Sequence, residues 1–450
     1  MVLLLQCKIQ TFGMNSYFLI AIFCVLVVYF FLITEKVNKV ITVLTGASVL
    51  ILLNVFQGEG GTSQHNGLGY ISRNLDILAF IIGMTILVGV VKKSGAFEVV
   101  ALWLVKLVKG QPKALLVAIS YLTFVLTIFL SNIPAVLIVS PVLLVLIKQL
   151  KLPYLPYIFA MITMANIGGA VTPISDPTTY YQATKVGLSF AQVFLNSGLI
   201  AILLSFVVVA YTLLVFKKDL EATVVDPNDV KTFKPLEALQ DRKILKIGLP
   251  ILFVSIFLMI AKEFLNPLLN MDLESGTIAV FSAMLCLLIF KIDIKEALEE
   301  MIDWQIIFFF VGLFVVIGSL EFTGVTAAVA DSLIKLTGGN QTALIFLISL
   351  GSGIISIFLD NVPYNIAMVS SVLELQNQGV FVEPLWWALN LGTSIGGAGS
   401  VIGAACNVVV MGEAEKEGFH PKFGKYLKIG LPLVVINCLI TFFVLILRYR

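Results

Sequence analysis

Long apolar runs recur along the whole chain, and most approach the length needed to cross a lipid bilayer. A membrane-spanning helix needs about 20 mostly apolar residues, whereas a membrane-spanning strand alternates apolar and polar positions. The runs here are continuous in Leu, Ile, Val and Phe, which favours helices. They cover residues 16–34, 40–55, 77–91, 200–216, 247–260, 277–290, 306–320 and 429–447. The pattern predicts an all-α polytopic membrane protein.

Composition supports lipid as the main solvent of the folded chain. Of the 450 residues, 59% are hydrophobic and only 12% are charged. Soluble domains carry about 25% charged residues, so a soluble fold of this size would lack polar material for its surface. The first apolar run is too long for a signal peptide and no small-residue cleavage site follows it, so we expect it to be the first helix.

The chain contains an internal repeat. The segment 128–134 reads IFLSNIP and the segment 357–363 reads IFLDNVP, which makes Asn132 and Asn361 equivalent at an offset of 229. The glycines at 83, 89, 95 and 110 recur at 312, 318, 324 and 339 with the same offset, and the segment 166–170 matches 394–398 at an offset of 228. Internal symmetry of this kind is typical of secondary transporters. The alternative is a gene duplication without mechanistic consequence.

The apolar pattern predicts two inverted repeats, each with five transmembrane helices and one re-entrant hairpin. Residues 96–108 are amphipathic and are expected at the membrane interface. Residues 113–149 are broken at 131–134, where Pro134 removes a backbone donor, and predict a hairpin; the alternative is two full spans joined by a short turn. A second hairpin is expected at 341–375. The predicted crossings are 16–34, 38–55, 76–92, 154–180, 189–216, 246–262, 275–290, 304–320, 385–411 and 428–447.

Charge divides the chain and orients it. We expect an N-terminal transmembrane repeat at 1–216, a charged cytoplasmic linker at 217–245 and a C-terminal transmembrane repeat at 246–450. Five crossings per repeat place 22 of the 29 Lys and Arg residues on the linker side. Basic loops stay cytoplasmic. The linker is therefore predicted to be inside and both termini outside, in the cytoplasmic (inner) membrane.

Backbone breaks at membrane depth are the candidate site. Lipid cannot satisfy freed N–H and C=O groups, so such breaks line cavities, where helix N-termini attract anions and freed carbonyls hold cations. Helix capping, tip capping and glycine packing are the structural alternatives. The predicted substrate-binding residues are Ser131, Asn132, Pro134, Asn166, Gly168, Gly169, Thr172, Asn361, Pro363, Ser394, Gly396, Gly397, Ser400 and Asn407.

Two acidic residues at these breaks predict ion coupling. Asp176 and Asp360 lie within membrane segments, where a buried charge costs about 2.5–3.5 kcal/mol on insertion scales. We expect them to bind H⁺ or Na⁺. No resident cofactor and no metal beyond Na⁺ is expected, because the chain has two histidines and scattered cysteines. The sequence contains no Gly-x-Ser-x-Gly, His-Glu-x-x-His or Walker motif, which argues against an enzyme or an ATP-driven pump, unless a separate ATPase subunit binds. No basic patch outside the membrane-flanking loops predicts nucleic-acid binding.

The motifs of the C-terminal half resemble a known family. They read FLDNVP at 358–363, PLWWAL at 384–389, GGAGSVIGA at 396–404 and YLKIGLP at 426–432. They are similar to the arsenite permease and P-protein group of the ion transporter superfamily, which includes sodium/proton antiporters and, more distantly, dicarboxylate transporters. The resemblance implies hairpin tips that meet unwound helices at the substrate site, a homodimer, and coupling to protons or sodium.

The N-terminal half departs from that family pattern. The first tip usually resembles Asp-Asn-x-Thr, whereas residues 131–134 read Ser-Asn-Ile-Pro, and the later Gly-Asp-Pro-Pro-Asn signature is Ser-Asp-Pro-Thr-Thr at 175–179. The leading hypothesis is a secondary active transporter for a small inorganic or carboxylate anion, or an arsenite exporter. A Na⁺/H⁺ antiporter is the alternative, and a passive channel is a third candidate.

Overall fold

The computed structural model of the chain describes residues 2–34, 36–56, 67–223, 225 and 234–449, with side chains from residue 16. Within these ranges the regular structure is helical, and the predicted all-α fold is confirmed. Nine of the described helices are long and apolar enough to cross a membrane, and three shorter apolar helices accompany them. Large apolar side chains on their outer faces, such as Phe206, Phe257 and Phe281, are 59%, 65% and 68% exposed, as lipid contact requires.

The described part of the first half of the chain contains eleven helices. A 3-10 turn at Pro173–Ser175 separates α8 from α9, and α10 contains a π-helical segment at Phe194–Gly198. The helices are α1 Val2–Thr34, α2 Lys39–Leu52, α3 Gly67–Ser72, α4 Leu75–Lys92, α5 Ala96–Leu107, α6 Pro112–Leu130, α7 Asn132–Gln149, α8 Tyr154–Gly168, α9 Pro177–Val186, α10 Phe190–Val215 and α11 Lys217–Ala222.

The second half repeats this order. A 3-10 turn at Pro235–Ala238 precedes its longer helices, and a short α-helical turn at Ile294–Glu296 followed by a π-helical turn at Ala297–Met301 lies between the second and third of them. Those helices are α12 Arg242–Leu269, α13 Ser275–Phe290, α14 Trp304–Phe322, α15 Val325–Thr337, α16 Gln341–Phe358, α17 Asn361–Asn377, α18 Glu383–Gly397, α19 Ala405–Lys416 and α20 Phe423–Arg448. The bounds of α4–α9 correspond to those of α14–α19 at nearly the same offset as the sequence repeat.

Several predicted bounds require correction. The first helix begins at Val2 rather than residue 16, and α12 begins at Arg242, inside the predicted linker, and runs on to Leu269. The breaks predicted within the crossings 154–180 and 385–411 are present, since each crossing consists of two helices with an unwound segment between them. Residues 226–233, in the centre of the predicted linker, lie outside the described residues.

The break in the first hairpin lies at Ser131, within the predicted segment 131–134, and Pro134 is not its cause. Helix α6 ends at Leu130 and α7 begins at Asn132, and Ser131 between them has φ of +74°. Pro134 lies in the first turn of α7, where a missing N–H removes no helical hydrogen bond. Pro363 occupies the same place in α17. Both prolines are therefore compatible with the helices that follow the hairpin tips.

Paired glycines set the close helix crossings in both halves. A Cβ on Gly83 of α4 would lie 2.5 Å from the backbone of Ala279 in α13. A Cβ on the equivalent Gly312 of α14 would lie 2.9 Å from the backbone of Val43 in α2. The same contact thus forms twice. Helix α4 of the first repeat packs against α13 of the second, and α14 of the second repeat packs against α2 of the first. Small residues allow this approach in a membrane, where dispersion contacts replace the hydrophobic effect between helices.

Candidate functional site

Each unwound segment is fixed to the neighbouring hairpin by a hydroxyl group. Thr172 Oγ1, between α8 and α9, donates to Ile128 O of α6 at 2.9 Å. Ser400 Oγ, between α18 and α19, donates to Ile357 O of α16 at 2.5 Å. Both hydroxyls are buried, and they occupy equivalent positions in the repeat. Thr172 and Ser400 therefore connect the breaks to the hairpins.

The carbonyls freed at the ends of α8 and α18 also have equivalent partners. Thr179 Oγ1 donates to Gly169 O at 2.7 Å, and Asn407 Nδ2 donates to Gly397 O at 2.7 Å. Asn407 Oδ1 in turn accepts from Asn166 Nδ2 at 2.8 Å, which joins the two repeats. These two carbonyls are thus satisfied internally, as a membrane interior demands.

Four helix N-termini meet at one cavity of about 430 Å³. Its wall contains the first residues of α7, α9, α17 and α19, which are Asn132, Pro177, Asn361 and Ala405. Two belong to hairpin tips and two to the helices after the breaks, one of each kind per repeat. Helix N-termini carry unpaired N–H groups and a partial positive charge. Their convergence makes this cavity favourable for an anion.

Two of these N-termini are capped by the predicted coupling aspartates. Asp176 Oδ1 accepts from Thr178 N of α9 at 2.7 Å, and Asp360 Oδ1 accepts from Val362 N of α17 at 3.2 Å. The residues before α7 and α19, Ser131 and Ala404, make no side-chain cap. The N-terminus of α19 therefore keeps its first N–H groups without side-chain neutralisation.

Both aspartates have further partners inside the cavity. Asp176 Oδ2 accepts a hydrogen bond from Asn132 Nδ2 of the first hairpin tip, and Thr178 Oγ1 also donates to this carboxylate. Asp360 Oδ2 forms an ion pair with Lys39 Nζ at 3.1 Å. Lys39 begins α2, so this ion pair joins the second hairpin tip to a helix of the other repeat. Buried charges need such partners to persist in the ionised form.

Asn361 offers an unused donor at the second tip. Its backbone N–H donates to Gly403 O at 3.1 Å, but its side-chain Nδ2 has no hydrogen-bond partner among the described residues. The residue is 2% exposed and lines the cavity. An unsatisfied buried donor costs about 1–3 kcal/mol, which a bound ligand would recover. Its equivalent, Asn132, is instead used by Asp176.

The remaining predicted site residues surround the cavity rather than line its main chamber. Ser131 and Pro134 line an adjoining pocket of about 160 Å³, and Pro363 O accepts from Tyr29 Oη at 3.2 Å. Gly168 and Gly396 lie at helix crossings, against α6 and α16. Ser394 is buried, and its Oγ has no hydrogen-bond partner among the described residues.

Four charged residues of the cavity were not identified from the sequence. Lys39, Asp303, Glu413 and Lys416 all line it. Lys39 and Asp303 lie at helix starts, where the sequence pattern indicates loop residues. Glu413 was excluded because the last broken helix was predicted to end at residue 411. Extending that helix by one turn would have identified Glu413 as an ionisable group inside a membrane segment. Among the described residues, no group of three or more His, Cys, Asp and Glu could hold a metal ion.

Together, an apolar helical fold with symmetric unwound segments around a polar cavity defines a multi-pass membrane transporter. The citrate transporter family model, CitMHS, matches residues 29–392. The chain belongs to this family. It is a transporter and not an enzyme.

Curated relatives support this membership. An uncharacterized transporter of Mycobacterium bovis is 30% identical over 94% of this chain and 96% of its own length. The P protein of Sus scrofa is 26% identical over 92% of this chain, and the match covers 57% of that longer protein. The predicted relationship to the P-protein group is confirmed. The crystal structure of the Alcanivorax borkumensis YdaH transporter shares the fold, with a TM-score of 0.53, 12% identity and coverage of 90% and 95% of the two chains.

Proposed function

We propose that the protein is a secondary active transporter that moves a small anion across the cytoplasmic membrane by ion-coupled alternating access. The observation that carries this proposal is the meeting of four helix N-termini, Lys39 and the free Asn361 amide around one cavity. These groups supply positive potential and donors, which an inorganic oxyanion or a carboxylate requires. An arsenite-like solute is the neutral counterpart of this substrate class.

The hairpins α6–α7 and α16–α17 are proposed to be re-entrant. Their tips lie beside the unwound segments within the α8–α9 and α18–α19 crossings, through the Thr172 and Ser400 contacts. Asn132 and Asn361 at the tips are 4% and 2% exposed. A tip that reaches a break in the middle of another crossing ends inside the bilayer. The domain division at 1–216, 217–245 and 246–450 follows from the same duplication.

The cavity opens on the linker side in this proposal. Lys39, Asp303, Glu413 and Lys416 line it at helix ends that the inverted topology places with the linker. The excess of basic residues on that side makes it cytoplasmic, with both termini outside. The conformation is then inward-open. A homodimer, expected from the family resemblance, remains part of the proposal.

Lys39 and Asp360 are proposed to couple the anion to a cation. Asp360 pairs with the Lys39 ammonium, so an incoming anion competes for the same positive charge. An Asp360 released from Lys39 is a buried carboxylate without a counter-charge, which favours uptake of H⁺ or Na⁺. Asp176 is the second proposed coupling carboxylate. The presence of both carboxylates in one cavity also favours the alternative, Na⁺/H⁺ antiport without an anion.

Thermal stabilisation of the purified protein tests this site. We expect a carboxylate or oxyanion to raise the unfolding temperature of the parent protein, because ligand binding to the folded state stabilises it by mass action. Lys39→Gln should weaken the apparent affinity about tenfold or more, the loss expected for one charge-assisted contact. Lys36→Gln, an exposed residue three positions away, is the matched control and should bind like the parent.

The outcomes separate the candidate substrates. Stabilisation by Na⁺ alone, with no anion effective at any concentration, would favour the antiporter. Arsenite is uncharged at neutral pH, so stabilisation by arsenite that is indifferent to Lys39→Gln would favour the neutral solute over an anion.

A further inference from the structure

Two pairs of charged residues occupy equivalent positions of the repeat with their charges exchanged. Lys185 of α9 corresponds to Glu413 of α19, at the offset that relates 166–170 to 394–398. Glu321 of α14 corresponds to Lys92 of α4, at the offset that relates Asn361 to Asn132. We call Lys185 and Glu321 the outer pair, and Lys92 and Glu413 the inner pair, because the inverted topology puts them on opposite sides of the membrane.

The outer pair is in contact. Lys185 Nζ lies 3.9 Å from Glu321 Oε1, with the side chains 25% and 22% exposed. Ser370 Oγ of α17 donates to the same oxygen at 2.5 Å. The pair thus connects α9, which follows an unwound segment, to α14, which belongs to the tightly crossed helices set by Gly312.

The inner pair makes no direct ion pair, and each of its members is held by α7 instead. Lys92 Nζ donates to Leu137 O of α7 at 3.2 Å, and Glu413 accepts a hydrogen bond from Ser140 Oγ of the same helix. Lys92 and Glu413 form no ion pair with each other. Glu413 lines the main cavity, and Lys92 lines the adjoining pocket that shares its wall. The inner pair therefore lacks, on the side where the cavity opens, the direct ion pair that the outer pair forms.

Helix electrostatics do not account for the acidic members of the pairs. Glu321 and Glu413 both lie in the last turn of their helices, α14 and α19, where the partial charge is negative and acids are disfavoured. The equivalent positions in α4 and α9 carry Lys92 and Lys185, which suit a helix C-terminus. The two acids are placed against this preference. A lysine from the other repeat is a counter-charge for each, and Lys416 on the same helix is a second one for Glu413.

We infer that the outer and inner pairs are alternating gates of the transport cycle: the outer pair holds the inward-open conformation, and the inner pair forms when the outer one breaks. In transporters with inverted repeats, the two open states arise when each repeat adopts the conformation of the other. The contact between Lys185 and Glu321 then becomes a contact between Glu413 and Lys92. The inference rests on the alternating access of the proposed function, but not on the chemistry of the solute.

Cysteine accessibility tests the gates. Val409→Cys lies in the cavity wall and is labelled from the linker side, in membrane vesicles, with an impermeant thiol reagent. Labelling of the parent protein, which has only the native cysteines, gives the background rate. We expect Lys185→Gln and Glu321→Gln to slow labelling about two- to fivefold, since each removes a partly exposed ion pair that favours the inward-open state. Adding Lys92→Gln to either variant should return the rate towards that of Val409→Cys alone.

A matched control lies next to the inner pair. Lys93→Gln removes the Lys93–Glu296 ion pair at the same end of α4 and should leave the labelling rate unchanged. If neutralisation reduces expression, the exchanged pair Lys92→Glu with Glu413→Lys should behave like the parent, whereas each single reversal should not. Slowing that Lys92→Gln does not reverse, or no slowing at all, would overturn the inference. If the outer-pair and inner-pair variants change the labelling rate in opposite directions but the protein transports only cations, the gates stand and the anion substrate is wrong.

Discussion

Replacing Asp360 with asparagine is expected to reduce ion-coupled transport at least about 100-fold while leaving expression intact. The carboxylate is 7% exposed, pairs with Lys39 and caps α17. Asparagine can still cap the helix but cannot hold a coupling H⁺ or balance the lysine. A loss of about 3 kcal/mol at this step corresponds to roughly 100-fold in rate. Uptake into proteoliposomes under an imposed gradient measures the effect.

Asp331→Asn is the matched control for this substitution. Asp331 is an exposed residue of α15 that accepts from Gln378 Nε2 at 2.8 Å, and asparagine can keep that hydrogen bond. Its transport rate should equal that of the parent. Normal coupled transport by Asp360→Asn, at equal amounts of reconstituted protein, would remove Asp360 from the coupling role.

Replacing Gly396 with alanine is expected to disrupt the packing of the second repeat. A Cβ there would lie 2.3 Å from Gly353 O and 2.7 Å from Ser356 Cβ, both on α16. The first of these is a backbone atom, so the clash requires α16 and α18 to separate. Overpacking of this kind costs about 1–3 kcal/mol or more. We expect thermal unfolding in detergent to begin roughly 5 °C lower, or the monodisperse fraction to be lost.

Gly351→Ala in α16 is the control for packing. No atom lies within 4 Å of a Cβ at this position, and alanine favours the helix by up to about 1 kcal/mol over glycine. Its unfolding temperature should match or exceed that of the parent. Equal stability of the two variants would show that the crossing of α16 and α18 tolerates a wider spacing than the structure has.

The fold was predictable where a local pattern determines structure. Apolar runs predicted the helices, and the fixed offset between glycines such as Gly83 and Gly312 predicted matched helix bounds, because both features depend on residues near in sequence or repeated. The first hairpin break was predicted within 131–134, but the role given to Pro134 was wrong, because proline breaks a helix in its interior and is tolerated in a first turn. Only the backbone geometry at Ser131 distinguishes the two cases.

The candidate site was predictable in its polar residues and not in its ion pairs. Asn132, Asp176, Asp360 and Asn361 were identified by their breaks, and the structure brings them to one cavity. Lys39 was not identified, because its partner Asp360 is 321 residues away and nothing in its local sequence marks membrane depth. Thr172 and Ser400 were predicted to bind the substrate through their hydroxyl groups. In the structure both hydroxyls donate to hairpin carbonyls, and only the tertiary contact reveals this role.

Ion-coupled anion transport is tested by measuring solute flux into proteoliposomes under imposed Na⁺ and H⁺ gradients, with a panel of carboxylates and oxyanions. We expect saturable uptake of at least one anion, at a rate that rises with one of the gradients and falls to the background rate when that gradient is dissipated. Exchange of Na⁺ for H⁺ that is unaffected by every anion, or anion flux that ignores both gradients, would contradict this expectation.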